Sequence, residues 1–403
     1  MKRLLIGKII TPYRLISQGA VLVEDNKIMA VGTADQLRHE MADEVLNFAD
    51  AYISPGFIDI HVHGGGGRDT MEVSLEALQT IARTHAAGGS TGIYPTTLTA
   101  PIETIEEALN VVRTAMNCEI TEESGARILG AHVEGPYFNK TQAGAQNPKY
   151  LKLPVWDEID RLLSTGAVKR ISIAPELPYA LEVGKMLSAR GVIVAIGHSD
   201  ALFQDVVKAL ECGFTHVTHI YSGMSVMRRV NSYRLAGVLE ATLLLDELTT
   251  EMIADGHHLP PSLMKLVIKN KGVDRVCGIT DAISAAGLGP GEYELGGLKT
   301  VVEKEVAEDY EISPPGYVAK LANREAFAGS VALMIDVLRN LVELASVPLP
   351  SAVKMISSTP AKIMSIDHER GRLVPKNFAD ITVFTKEFEV LLTMVEGTIV
   401  YRS

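Results

Sequence analysis

The chain has little cysteine, no excess of basic charge and no long uninterrupted apolar run. Its 403 residues include 3 cysteines. Cys118, Cys212 and Cys277 lie far apart with no C-x-x-C pair, so they read as reduced thiols of a cytosolic protein rather than a disulfide frame. The formal net charge is −11, which argues against a nucleic-acid partner, because phosphate backbones want a basic face. A small anionic substrate is not excluded, since a few local arginines suffice. No stretch approaches the ~20 apolar residues needed to cross a bilayer. The opening "MKRLLIGKIITPYRLISQGA" is interrupted by Gly7, Lys8 and Pro12 and lacks the apolar core and cleavage site of a signal peptide. Neither a membrane partner nor export is expected. The remaining balance, 47% hydrophobic and 22% charged, is that of an ordinary globular chain long enough for one large domain or two moderate ones.

What is present falls into two rhythms. "GAVLVEDNKIMAVG" near the start is two apolar runs around Asp25-Asn26-Lys27, a hairpin pattern. "ADITVFTKEFEVLLTMVEGTIVYRS" at the end gives more strands and a Glu396-Gly397 turn. Both ends are expected to join in one small β-sandwich domain, residues 1–54 with 365–403. Between them, eight apolar runs alternate with helix-like segments: "FIDIHVH", "TGIYPTT", "RILGAHVEG", "RISIAPE", "VIVAIGHSD", "HVTHIYSG", "LTTEMIADGHH" and "RVCGITDA". This period predicts an α/β fold, a (β/α)8 TIM-like barrel over 55–364. An open doubly wound sheet is the alternative that periodicity alone leaves standing.

Six of the eight runs end in groups able to bind a metal or move a proton: His61 and His63, Glu134, His198, His219, His257 with His258, and Asp281. In a barrel, strand ends surround one mouth, so residues distant in sequence meet in one pocket. Each also has a bland reading. Glu134 could bond the Gly135-Pro136 turn, and His198 could orient the helix after Ser199-Asp200. One of His216 and His219 is expected to be a packing residue, and His257 and His258 must diverge. Asp281 could be a helix cap. Together, with one topological address, they favour metal-dependent chemistry. Imidazoles and one carboxylate suit zinc, iron, cobalt or manganese, and Glu134 could bridge two ions held by His61/His63 and by His198/His219. Such a site activates water, with Asp281 typed as the base. The residues alone predict a metal-dependent hydrolase of an amide, imide or ester.

The segments "SPGFIDIHVHG", "GAHVEGPYFN", "AGAQNP", "IGHSD", "VTHIYSGM", "IADGHH", "ITDA", "FAGS" and "GRLVPKNFADITVF" together resemble the N-acetylglucosamine-6-phosphate deacetylases of the amidohydrolase superfamily. The resemblance spans nearly the whole chain. It implies hydrolysis of an N-acetyl amino-sugar phosphate, one or two divalent ions per subunit with zinc foremost, and a homodimer. Glu134, His198 and His219 match its main metal ligands, and His61 and His63 match members with a second ion. Asp281 matches the general acid/base, and His258 the histidine that binds substrate and polarises the acetyl carbonyl. Ala145, Gln146, Phe327, Ala328 and Gly329 fall in substrate-contacting stretches. In "HIYSGMSVMRRVNSYRLAG", Ser222 and Gly223 replace the family's Asn-Ala, and Asn231 stands where its phosphate-binding arginine is expected. Arg228, Arg229 and Arg234 are the arginines that could serve instead. This departure leaves two alternatives open, another N-acetylated sugar or an N-acyl amino acid; a catalytically silent binding module is more remote, because every expected ligand is present.

Overall fold

The computed structural model describes residues 1–304, 310–313 and 316–403. The eight expected runs are eight parallel strands: Phe57–Val62, Ser90–Pro95, Arg127–Ile128 continuing as Ala131–Glu134, Val168–Ile173, Ile193–Ile196, Phe214–Val217, Thr249–Ile253 and Val276–Ile279. The first three form one parallel sheet as far as Ile128. Ala131–Glu134 and the remaining five form a second sheet, in sequence order. Gly130, at a positive φ of 155°, marks the break in the third strand. Parallel bridges from Thr96 to His132 and from Val62 to Ala282 link the two sheets at both margins.

A helix follows each strand, which is what parallel neighbours require. The first, Leu75–Ala87, is capped by the Ser74 side chain and ends at Gly88, as its sequence predicts. Its inner face, with Leu78, Ile81 and Ala82, joins the main apolar core between helices and strands. Strands covered on both faces read as continuous apolar runs, and every residue of Phe57–Val62 and Ser90–Pro95 is buried. Polar residues inside these strands are therefore exceptions: Asp59, His61, Arg170, Ser172 and Glu251 are all fully buried.

The chain ends meet in a seven-stranded sheet built from residues 2–55 and 381–402. Both expected hairpins form, with Asp25 at φ 50° and Glu396–Gly397 at φ 48° and 79°, the backbone that two-residue hairpin turns need. The sandwich expected from sequence is one continuous hydrogen-bonded sheet folded over, not two. Ile28 N donates to Asn377 O at 3.0 Å and Ala379 N to Asn26 O at 2.9 Å, bringing an edge strand against the segment that enters Ile381–Phe384. Leu5, Ile9, Val21, Ile53, Ile381 and Leu392 fill the fold. After the eighth strand the chain forms a three-stranded antiparallel sheet of Gly291–Leu295, Leu298–Glu303 and Val318–Leu321. Part of the connection between the last two of these strands, 305–309 and 314–315, lies outside the described residues.

Candidate metal centre and active site

The C-terminal ends of the strands converge on one cavity of about 210 Å³, whose lining includes His63, Glu134, His198, His219, His258 and Asp281. His61 is fully buried just beneath it. His198, His219 and Asp281 sit immediately past their strands with positive φ of 47°, 21° and 50°. Backbone of this kind is costly for residues other than glycine and tends to collect at functional sites.

Four imidazoles share one arrangement. The Nδ1 atoms of His61, His63, His198 and His219 face oxygen acceptors: Glu251 Oε1 at 2.9 Å, Thr96 O at 3.2 Å, Gln142 O at 2.8 Å and Ser222 O at 3.1 Å. An acceptor at Nδ1 places the ring proton there and leaves the Nε2 lone pair free. All four Nε2 atoms point at Glu134. Its Oε1 lies 3.3 Å from His198 and 3.0 Å from His219. Its Oε2 lies 3.6 Å from His61 and 3.2 Å from His63. Two donor sets result, His61/His63/Glu134 and Glu134/His198/His219, each close enough to hold one ion.

The spacing fits a metal. His61 Nε2 and His63 Nε2 are 3.3 Å apart, and Asp281 Oδ1 lies 3.3 Å from the first and 3.2 Å from the second. The centre of a tetrahedron with edges of ~3.3 Å is about 2.0 Å from its corners, the bond length of zinc to nitrogen or oxygen. Asp281 Oδ1 is buried without a hydrogen-bond partner, an arrangement that a cation or a bound water would resolve. The local field also favours a cation. Burial disfavours a charged His63, but the carboxylates of Asp281 and Glu134, each 3.2 Å from its Nε2, outweigh it and raise the group to about 9. His61 is likewise raised well above the ordinary imidazole value against its burial, by the charges of Asp281, Glu134 and Glu251.

His258 belongs to the same cavity but not to either donor set. Its Nδ1 is 2.8 Å from Asp255 Oδ2, while Asp255 Oδ1 accepts the backbone N–H of both His257 and His258 at 2.9 Å. Phe327 packs on the ring at 4.7 Å between centroids. The adjacent pair does diverge: His258 lines the cavity and His257 does not. Of the expected substrate contacts, Ala145, Gln146, Ser222, Gly223, Phe327 and Gly329 line the cavity. Gln146 Nε2 donates to Glu134 Oε2 at 2.7 Å and thus steadies the shared carboxylate. Two glycines are there for close approach. A Cβ on Gly223 would stand 2.8 Å from His198 Nδ1, and one on Gly329 2.6 Å from Asp281 O.

Five expected contacts lie elsewhere. Ala328 is fully buried in a satellite cluster with Leu98, Ile283 and Ala319. Arg228, Arg229, Asn231 and Arg234 lie on an exposed two-stranded hairpin, Arg228–Val230 with Tyr233–Leu235, outside the cavity lining. Asn231 and Ser232 form its turn at φ 45° and 71°, and Arg228 is engaged by Asp200 Oδ2 at 2.7 Å. The hairpin carries these side chains outside the cavity lining.

Sequence reasoning passed over Glu251, Arg170 and Asp255, which support the histidines. The signal was present as a charged residue in the middle of an apolar strand, in "VKRISI" and "TTEMI". His216 is the packing histidine of its pair, buried with Nδ1 2.8 Å from Thr249 Oγ1.

Comparison with known proteins agrees with this geometry. Residues 52–400 match the family model described as "Amidohydrolase family". The chain is 31% identical over 404 residues to the N-acetylglucosamine-6-phosphate deacetylase of Bacillus subtilis, covering 98% of this chain and 96% of that one. It is 33% identical over 347 residues to the N-acetylgalactosamine-6-phosphate deacetylase of Escherichia coli O157:H7, covering 86% of each. A solved structure of the Mycobacterium smegmatis N-acetyl-D-glucosamine-6-phosphate deacetylase, a mutant in complex with N-acetyl-D-glucosamine-6-phosphate, superposes with a TM-score of 0.87 at 28% identity over 99% of both chains. With a family model matched over most of its length and these donor sets at the strand ends, the chain belongs to the amidohydrolase family.

Proposed function

We propose that the protein is a divalent-metal-dependent deacetylase that hydrolyses N-acetyl-D-glucosamine 6-phosphate to D-glucosamine 6-phosphate and acetate. The observation that carries this reading is the common posture of His61, His63, His198 and His219, each Nδ1 tied to an oxygen and each Nε2 aimed at Glu134. Full-length similarity to deacetylases of that name supports the substrate.

His61, His63 and Glu134 would hold one ion, and Glu134, His198 and His219 the other. Zinc is the first choice, with iron, cobalt and manganese accepted by the same donors. Such ions, when bound, activate a water molecule and polarise the acetyl carbonyl. Asp281 takes the water proton on its unpartnered Oδ1 and returns it to the sugar nitrogen as the amide C–N bond breaks, so water and amide become acetate and amine. His258, its Nδ1 engaged by Asp255, presents Nε2 to the acetyl oxygen. Ala145, Gln146, Ser222, Gly223, Phe327 and Gly329 shape the space around the sugar, with Ala328 packed behind them.

The phosphate is assigned to the guanidiniums of Arg228, Arg229 and Arg234, with Asn231 at the turn between them, on the hairpin that follows Ser222–Gly223. We further read the eight parallel strands as a closed (β/α)8 barrel over 55–364, supported by the Val62–Ala282 and Thr96–His132 bridges, with 1–54 and 365–403 as a second domain. The enzyme is read as a cytoplasmic homodimer. The 33% identity to an N-acetylgalactosamine-6-phosphate deacetylase favours one second reading, the same reaction on the galactosamine epimer.

Two variants test the assignment of roles. Asp281→Asn should retain its metal by elemental analysis while kcat falls about 10²–10⁴-fold, the range for losing a general acid/base; near-normal turnover would remove Asp281 from that role. His61→Ala should lower the ion count from about two toward one. An unchanged count would make the H-x-H pair structural.

A further inference from the structure

Beneath the cavity lies a buried ion pair that the reaction itself does not use. Arg170 Nη1 and Nη2 donate to Glu251 Oε2 and Oε1, each at 2.6 Å, and both residues are fully buried. Glu251 Oε1 also receives His61 Nδ1 at 2.9 Å and the backbone N–H of His219 at 3.2 Å. Arg170 reaches the same two segments from the other side. Nη1 donates to Ile60 O at 3.3 Å, and Nη2 lies 3.5 Å from Thr218 Oγ1. Ile60 and Thr218 are the residues just before His61 and His219. One carboxylate and one guanidinium therefore grip a ligand from each donor set and the residue that precedes it.

Resting on the two-ion reading above, we propose that Glu251, locked by Arg170, is a positioning residue shared by the two metal sites, so that a single buried pair sets the affinity of both. It orients the His61 ring through Nδ1 and fixes the strained backbone of His219 through its N–H. Partners that orient a metal-binding histidine are worth 10–100-fold in metal affinity when removed. Ordinarily such a partner serves one ligand of one ion. Here its loss falls on two sites that also share Glu134.

The test is a zinc titration of chelator-stripped protein against a chromophoric competitor, comparing wild type, Glu251→Gln and the paired Arg170→Met/Glu251→Leu. The paired variant removes the ion pair whole, a replacement that buried pairs often tolerate, and it carries the test should Glu251→Gln not fold. Thr249→Val, which removes the partly buried hydroxyl partner of His216 two residues before Glu251 on the same strand, controls for general damage. We expect both zinc dissociation constants to rise about 10–100-fold in the Glu251 variants, with two ions still bound at saturation and the Thr249 variant unchanged. Cobalt(II) loading should show altered visible bands in the same variants. If only one constant moves, if neither moves, or if Thr249→Val weakens binding equally, the shared role is overturned. A wild-type protein that binds fewer than two ions overturns the two-ion reading itself, and does so before any variant is made.

Discussion

At the scale of residues, the site is organised by what each histidine does with the nitrogen that does not face the cavity. Three of the five imidazoles at the site rest Nδ1 on a backbone carbonyl, His63, His198 and His219, while His61 and His258 rest it on a carboxylate. For His258 that choice has a consequence in pH. Burial disfavours its charged form, but the charge and hydrogen bond of Asp255 outweigh burial and raise it above the ordinary value, while Asp255 is held below its own. A raised histidine contributes stability that is fully present below the unfolded value of ~6.5 and lost as pH rises through the folded one. The depressed aspartate contributes above ~3.9 and loses it as pH falls through its folded value. Asp255→Asn should therefore cost most stability between about pH 4 and 6.5, and the gap to wild type should narrow toward pH 9. Urea unfolding of the metal-loaded proteins at pH 5.5 and pH 9 measures it; a gap that widens with pH would contradict the pairing.

At the scale of elements, the hairpin of Arg228–Val230 and Tyr233–Leu235 carries the arginines assigned to the phosphate. The Asn231-Ser232 turn holds Arg228, Arg229 and Arg234 toward solvent, outside the cavity lining. Replacing Arg228, Arg229 and Arg234 together by alanine should raise KM for the phosphorylated substrate at least tenfold while leaving kcat within about twofold, because guanidinium–phosphate pairs supply binding and not chemistry. The stability cost should stay within about 0.5 kcal/mol per site, as for other exposed positions. An unchanged KM would free the hairpin of any role in substrate binding. The parallel strands were legible because apolar runs buried on both faces repeat with a fixed period, and the ligands because strand ends share one address. Glu251 and Arg170 showed only as single charges inside apolar strands; their pairing across Val168–Ile173 and Thr249–Ile253 is a product of packing and leaves no local pattern. The folding of the terminal sheet onto itself was hidden for the same reason: it depends on Asn26 and Ile28 meeting residues 377–379.

At the scale of the whole molecule, an acidic chain of net charge −11 concentrates its carboxylates and imidazoles at one mouth, where the buried charges of Glu134, Asp281 and Glu251 favour a cation. No lysine or arginine lines that cavity among the described residues. A phosphorylated sugar would bring its own negative charge to such a mouth, and the arginines assigned to it stand beyond the cavity wall. That makes substrate preference the most direct test of the account. Acetate release should be measured with metal-replete enzyme on N-acetyl-D-glucosamine 6-phosphate, N-acetyl-D-galactosamine 6-phosphate and unphosphorylated N-acetyl-D-glucosamine. We expect a kcat/KM for the first that exceeds both others by at least tenfold. Preference for the galactosamine epimer would move the assignment to the second reading, and turnover that ignores the phosphate, or no acetate at all, would contradict the proposed function.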